Sequence, residues 1–182
     1  MSLFKQTTFL LILSFLHVRA DVCGGIEDRI ILSLLATERH MNKEIGYNYQ
    51  ISINNASDAK KIKLYYNELF IDNRTIDCQN EQKCITITEH LWDKGIYNLD
   101  LGAFGLNSEY QKEQNLKAYQ YFRIKDSYFA ACNYLKKMVA KYGMGWYAIA
   151  SYHSQTEKFN YEYQKKLIYH YFNTSKDMSI LR

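Results

Sequence analysis

Four cysteines restrict the folds that this chain can adopt. They are Cys23, Cys78, Cys84 and Cys132, and four cysteines allow three pairings. We favour Cys78–Cys84, which closes a short polar loop, and Cys23–Cys132, which ties the N-terminal part of the chain to a later helix. An even number of cysteines is typical of exported proteins with disulfides. A zinc site is the alternative, but the sequence has no CxxC or HxxxH pair of the kind that holds zinc.

The first twenty residues have the features of an export signal. Lys5 lies in a short basic start, residues 8–18 (TFLLILSFLHV) form an apolar run, and Val18 and Ala20 occupy the −3 and −1 positions of a cleavage site. The run is too short to span a bilayer, which takes about 20 apolar residues. An uncleaved membrane anchor is the alternative. We therefore predict a signal peptide over residues 1–20 and an exported mature protein over residues 21–182.

Length and charge exclude several classes of protein. Residues 21–182 suit one domain with one core. Without the first twenty residues, which contain Lys5 and Arg19 and no acid, 21 basic and 19 acidic side chains remain. This balance argues against a nucleic-acid partner, since nucleic-acid binders usually have a concentrated basic surface. The chain contains no proline, which excludes collagen-like and proline-rich segments.

The spacing of apolar residues predicts a mainly α (α+β) protein with a small β or loop insertion. Residues 84–88 (CITIT) could be a short strand or the start of a helix through Trp92. Residues 71–84 are expected to form a polar loop or hairpin, and residues 95–107 a glycine-rich segment. A strand is predicted over residues 47–54, and helices over residues 26–41, 56–70, 114–121, 127–142 (with Phe129, Cys132, Leu135 and Val139 in register), 146–153 and 161–172.

Glu38 is placed unusually for a charged residue. At about 100° per residue, it lies about 40° from Leu34 and about 20° from Ile31 around the axis of the first helix, on the apolar face. A carboxylate there must be hydrogen-bonded, paired or neutral, and loss of hydration raises its pKa. The alternative is a residue at the edge of the apolar stripe that reaches water or pairs with Arg or Lys.

Four short motifs follow one another in an order that resembles a known family. They are LLATER at residues 34–39, NLDLGAFGLN at residues 98–107, AIASYHS at residues 148–154, and a later tyrosine in the last helix. Together they resemble the soluble lytic transglycosylase domain, whose fold is similar to goose-type lysozyme. The Tyr-His-Ser form of the third motif resembles secretion- and pilus-associated members. The resemblance covers about residues 23–172, with a long insertion between the first two motifs.

The resemblance implies a lysozyme-like helical domain that cleaves the MurNAc–GlcNAc β-1,4 bond of peptidoglycan in the periplasm, without a cofactor or metal. Glu38 would protonate the glycosidic oxygen and then act as base, closing a 1,6-anhydro ring. The later tyrosine that bonds this glutamate would be Tyr163, with Tyr161 as the alternative. Possible partners are glycan strands and a secretion or pilus apparatus. The substrate-binding residues implied are Phe104, Gly105, Asn107, Tyr152, His153 and Tyr163.

The sequence also departs from the family pattern. Arg39 stands where the family has Ser, Phe104 where it has Met, and Gly105 where it has Gln, whose amide would contribute about 0.5–1.5 kcal/mol as a hydrogen bond. Two alternatives stay open, a hydrolytic muramidase and a non-catalytic glycan-binding or scaffold protein of a secretion apparatus. The departures favour the second alternative, whereas the placement of Glu38 disfavours it. Most glycosidases use two carboxylates, and Asp93 and Asp100 are the candidates for a second one. We favour Asp100 as a turn residue of the glycine-rich segment.

Overall fold

The structure is a computed structural model that describes residues 23–109, 113–174 and 179. The predicted signal peptide, residues 1–20, lies outside these residues. The strands are β1 (Gln50–Ile53), β2 (Thr75–Asp77), β3 (Leu99–Leu101) and β4 (Leu106–Asn107). The helices are α1 (Asp28–Glu38), α2 (Ala56–Tyr66), α3 (Glu81–Asp93), α4 (Ala118–Phe122), α5 (Ile124–Tyr142), α6 (Trp146–Ala150) and α7 (Glu157–Asn173), with a 3₁₀ turn at Asn67–Leu69.

The strands form one small antiparallel sheet in the order β2-β1-β3-β4. Ile51 of β1 lies opposite both Ile76 and Leu101, and all three side chains are fully buried. This apolar row joins the sheet to the helical core, because α1 and α5 also direct their buried residues toward it. The prediction of a mainly α protein with a small β region is confirmed.

Helix α1 ends at Glu38, where the sheet supplies a hydrogen-bond donor to the helix end. Its buried face contains Ile31, Leu34 and Leu35, which pack along α7. Beyond Glu38 the backbone becomes extended at Arg39, so the last carbonyls of the helix need partners from elsewhere. The amide nitrogen of Gln50 in β1 donates to the carbonyl of Glu38 at 3.2 Å. The sheet therefore supports the end of the helix that carries Glu38.

Two disulfides are present, and they are the two pairings that the sequence favours. Cys23 bonds Cys132 in α5, and Cys78 bonds Cys84 at the start of α3. No cysteine remains free, so the alternative of a cysteine-ligated zinc site is wrong. Within the residues that the structure describes, no helix is long and apolar enough to cross a membrane.

Residues 71–93 differ from the expectation in their boundaries. The segment predicted as a polar loop or hairpin contains β2, and Asn80 then caps α3 by accepting from the backbone N–H of Lys83 at 2.9 Å. Of the two alternatives for residues 84–88, the helix is right. Cys84, Ile87 and Leu91 share its buried face, and this spacing is helical although the β-branched residues favour a strand.

Two other predictions from periodicity were wrong in part. The helix expected over residues 114–121 is only the short α4, which begins at Ala118. Phe129 was placed in the apolar register of α5 with Cys132 and Leu135, but its side chain is 52% exposed. The buried face of α5 instead includes Ala130 and Ala131. Small residues there let neighbouring elements approach closely, a contact that hydrophobicity alone does not reveal.

Candidate active site

The centre of the candidate site is a pair of residues from two packed helices. Glu38 is the last residue of α1, and Tyr163 lies in the second turn of α7. The Tyr163 hydroxyl donates a short hydrogen bond to Oε1 of Glu38, and the tyrosine is buried. The packing of α1 along α7 brings together two side chains that are 125 residues apart in the sequence. Tyr161, the other candidate, is 60% exposed and lines neither cavity of the site.

The environment of Glu38 favours its neutral form. Burial of the carboxyl group raises its pKa from 4.5 to about 8. The hydrogen bond from Tyr163 and the positive charges of Lys166 and Arg74 act in the opposite direction, while the Asp100 carboxylate raises the pKa further. Loss of hydration outweighs the rest. At neutral pH this carboxyl group holds a proton that it can give to a bound substrate.

The glycine-rich turn between β3 and β4 packs directly against this carboxyl group. Gly105 has a φ of +53°, and a Cβ atom placed there would collide with Oε2 of Glu38. Only glycine lets the turn approach so closely. Gly105, one of the implied substrate-binding residues, therefore contributes backbone to the wall of the site beside Glu38.

Tyr152 holds the same turn from the other side. Its hydroxyl donates to the carbonyl of Phe104 at 2.8 Å, and the residue is only 7% exposed. Tyr152 still lines the site through its ring. Phe104 itself is fully buried, with its ring near that of Tyr128, and lines neither cavity. The prediction that the Phe104 side chain binds substrate is therefore wrong, because the ring belongs to the core.

His153 lies beside Tyr163 at the surface of the site. The two rings stack with centroids 4.5 Å apart and an angle of 4° between their planes. Removal of water from the ring lowers the pKa of His153, although the residue as a whole remains exposed. A largely neutral imidazole thus covers the phenol that bonds Glu38 and offers its remaining surface to the cleft.

Two adjoining cavities meet at Glu38 and form one cleft. They measure about 440 and 370 Å³, and we call them the amide half and the cationic half. Five residues line both: Glu38, Arg74, Asp100, Gly105 and His153. The amide half adds mainly amides and aromatic rings, namely Asn54, Asn98, Asn107, Tyr134, Tyr152 and Phe159, with Ser154 and Leu106. The cationic half is lined further by Thr37, Arg39, His40, Met41, Gln50, Ser52, Asp72, Thr75, Tyr163 and Lys166.

Asp100 is the second carboxylate of the cleft. The amide nitrogen of Asn107 donates to Oδ1 of Asp100 and to Oδ1 of Asn98, both at 2.8 Å. Asn107 therefore lines the amide half, as predicted, while its NH₂ group orients Asp100 across the β3–β4 hairpin. Asp93, the other candidate, is exposed at the end of α3 and lines neither cavity.

Several residues of the cleft were missed by sequence reasoning. Lys166 follows Tyr163 by three positions on α7, and this spacing places two side chains on one helix face, so it could have been found. Arg74 and Asn54 come from the insertion and carry no motif. The guanidinium of Arg74 donates to Oδ1 of Asn54 at 2.8 Å, and only the antiparallel pairing of β1 with β2 brings these residues together.

Comparison of the chain with protein-family models, with curated proteins and with solved structures found no match. The functional inference therefore depends on the residues of the cleft and on their chemistry. Those residues are a protonated carboxyl group held by a phenol, a second carboxylate nearby, and cleft walls that extend to both sides of the pair.

Proposed function

We propose that this protein is a lysozyme-like lytic transglycosylase that cleaves the MurNAc–GlcNAc β-1,4 bond of peptidoglycan. The observation that carries the proposal is the position of Glu38, a half-buried residue that lines both cavities and whose carboxyl group has a pKa of about 8. A polymer cut internally must occupy both sides of the broken bond. Cavities on both sides of one acid fit such a substrate.

The proposed reaction uses Glu38 twice. Its carboxyl group first protonates the glycosidic oxygen, and the bond from that oxygen to the muramyl C1 breaks through an oxocarbenium-like transition state. The resulting carboxylate then takes the proton of the muramyl 6-hydroxyl, whose oxygen bonds C1 and closes the 1,6-anhydro ring. No water is consumed. The Tyr163 hydroxyl stabilises the carboxylate formed between the two steps, since it donates to Oε1.

The amide half of the cleft supports a carbohydrate ligand. Tyr134 and Phe159 present ring surface there, and aromatic rings combine an apolar face with a defined geometry. Asn54 and Asn98 line the same wall, and amides can both donate to and accept from hydroxyl groups. Apolar sugar faces and their hydroxyls need this combination of side chains.

A hydrolytic muramidase is a second candidate, favoured by the position of Asp100. This carboxylate lines both halves of the cleft together with Glu38. A second carboxylate that activates a water molecule is the usual arrangement of an inverting glycosidase. The two reactions leave different ends on the muramyl product, an anhydro ring or a reducing end.

Mass spectrometry of the soluble products separates these candidates. Residues 21–182 are incubated with purified peptidoglycan beside two variants, Glu38→Gln and the control Asp93→Asn, which removes a carboxylate outside the cleft. We expect anhydro-muropeptides from the native protein and the control and none from Glu38→Gln. Reducing-end products would replace the transglycosylase with the muramidase. Glycan retained by all three proteins without any product would contradict both and indicate a binding module.

The proposed site of action is the periplasm. Two disulfides are compatible with an oxidising, exported environment, and residues 1–20 have the pattern of a signal peptide cleaved near Ala20. The resemblance to secretion- and pilus-associated enzymes suggests local opening of the wall for an envelope-spanning apparatus. Edman sequencing of the mature protein from the periplasmic fraction would test this, and an N-terminus other than residue 21 would place the cleavage elsewhere.

A further inference from the structure

The two halves of the cleft differ in charge. The cationic half is lined by three side chains that are positive at neutral pH, Arg39, Arg74 and Lys166. Of these, only Arg74 also reaches the amide half, where the other charged residues are the shared Glu38 and Asp100. An excess of positive charge therefore lies on one side of Glu38 only.

The acids of the cationic half are already engaged. Asp72 accepts from the backbone N–H groups of Arg74 and Thr75, at 2.7 and 2.6 Å, and its other oxygen lies 3.5 Å from Nε2 of His40. Asp100 accepts from the amide of Asn107. Each carboxylate therefore has a hydrogen-bond partner other than the three cationic side chains.

The three cations, by contrast, have no acidic partner among the described residues. None of them lies within 4.0 Å of a carboxylate oxygen there, since the salt bridges of this part of the chain involve other residues. Arg74 is oriented by a neutral group, Oδ1 of Asn54. Arg39 and Lys166 come from the end of α1 and from α7, the two helices that hold the Glu38–Tyr163 pair.

We propose that the cationic half binds a carboxylate carried by the substrate next to the bond that is cut. This inference rests on the proposed function and deepens it, because it names the group of the peptidoglycan strand that the cationic half holds. The carboxylate is one of the peptide stem or, where the stem has been removed, that of the lactyl ether. Arg39, which departs from the serine of the family pattern, then has a role in substrate selection.

The size of the effect follows from the exposure of the three side chains. Exposed ion pairs contribute little individually and are screened by salt. Three cations that line one cavity together with two acids should strengthen the binding of a carboxylate by about tenfold at low ionic strength. The gain should shrink as salt is added, whereas contacts in the amide half should not respond to salt.

Binding calorimetry on a Glu38→Gln background tests the proposal without turnover. The ligands are stem-bearing glycan strands, strands whose stems have been removed to leave the lactyl carboxylate, and both kinds after chemical amidation of their carboxylates. The test variant adds Arg39→Gln and Lys166→Gln. The matched control adds Lys60→Gln and Lys125→Gln, which remove the same charge from exposed positions that line neither cavity.

We expect strands with free carboxylates to bind the unaltered cleft about tenfold more tightly than amidated strands. The preference should fall severalfold in the test variant, which keeps Arg74, and persist in full in the control, while amidated strands bind all three proteins alike, which also checks folding. Comparison of stem-bearing with stem-free strands identifies whether the cationic half binds a carboxylate of the peptide stem or that of the lactyl ether. Equal affinity for charged and amidated strands, a preference that is undiminished in the test variant, or no binding of any strand would overturn the proposal.

The proposed function is tested separately, by assaying the cleavage of amidated strands with the native protein, in which Glu38 is intact. Glu38-dependent cleavage without a carboxylate preference would refute the charge inference alone. Carboxylate-selective binding without any cleavage by the native protein would refute the proposed function instead.

Discussion

Replacement of Glu38 by Gln should change how the stability of the protein depends on pH. Folding transfers this carboxyl group from water, where its pKa is 4.5, to a site where burial raises the pKa to about 8. Between these two values the unfolded chain has released the proton and the folded protein has kept it. Stability therefore falls as pH rises through this window, because the folded state binds more protons than the unfolded state.

The expected change in unfolding free energy follows from the size of the pKa shift of Glu38. Each pH unit is worth about 1.4 kcal/mol, so the rise from 4.5 to about 8 costs the native protein about 5 kcal/mol of unfolding free energy between pH 4 and pH 9. Glutamine is nearly isosteric with the protonated carboxyl group, and its amide oxygen can accept the Tyr163 hydroxyl. Glu38→Gln should thus match the native stability near pH 4 and exceed it by about 5 kcal/mol at pH 9.

Urea denaturation with intact disulfides, at one-unit steps from pH 4 to pH 9, measures this difference directly. Asp93→Asn is the control, since it removes an exposed carboxylate outside the cleft and should stay within about 0.5 kcal/mol of the native protein throughout. A Glu38→Gln difference that stays constant with pH would refute the reasoning. It would mean that the carboxyl group ionises in the folded protein as it does in water.

Two further substitutions test how the carboxyl group is held. Tyr163→Phe removes a hydrogen bond that lowers the pKa of Glu38, so the alkaline limb of the kcat/KM profile should move to higher pH. The value of kcat should fall about tenfold to hundredfold. An alkaline limb at the same pH would contradict this reasoning. Gly105→Ala should abolish activity in the same peptidoglycan assay. The control is Gly95→Ala, at φ +77° with open space around it. Both variants should lose about 1–2 kcal/mol of stability, the cost of a left-handed backbone, but Gly95→Ala should keep full turnover.

The centre of the site could be predicted from sequence because it depends on local periodicity. Helical spacing placed Glu38 on an apolar face, and the structure encloses its carboxyl group between α7 and the glycine-rich turn. The tyrosine was inferred from motif order and then found in hydrogen-bond contact. The mainly α class followed from the same spacing. The position of Glu38 and the helical class could be predicted from a few neighbouring residues, whereas Tyr163 could be predicted only from the resemblance in motif order.

The positions of other side chains depend on tertiary contacts that no local sequence pattern encodes. Phe104 is implied as a substrate contact by its place in the second motif, but its ring is buried in the core, and Tyr152 bonds the turn that carries it. Arg74 reaches the cleft only through the pairing of β1 with β2. Phe129 is exposed because Ala130 and Ala131 take the buried positions of α5. Hydrophobicity ranks residues by type, whereas packing selects them by the space that is available.

The insertion between the first two motifs is part of the site, and one side chain demonstrates it. The side-chain Nε2 of Gln50 in β1 donates both to the backbone carbonyl of Glu38 and to that of Gly102, at 3.2 and 3.3 Å. The same NH₂ group therefore joins the end of α1 to the glycine-rich turn. Because burial of the Glu38 carboxyl group by that turn keeps its pKa high, the protonation of Glu38 depends on a strand that lies outside both motifs.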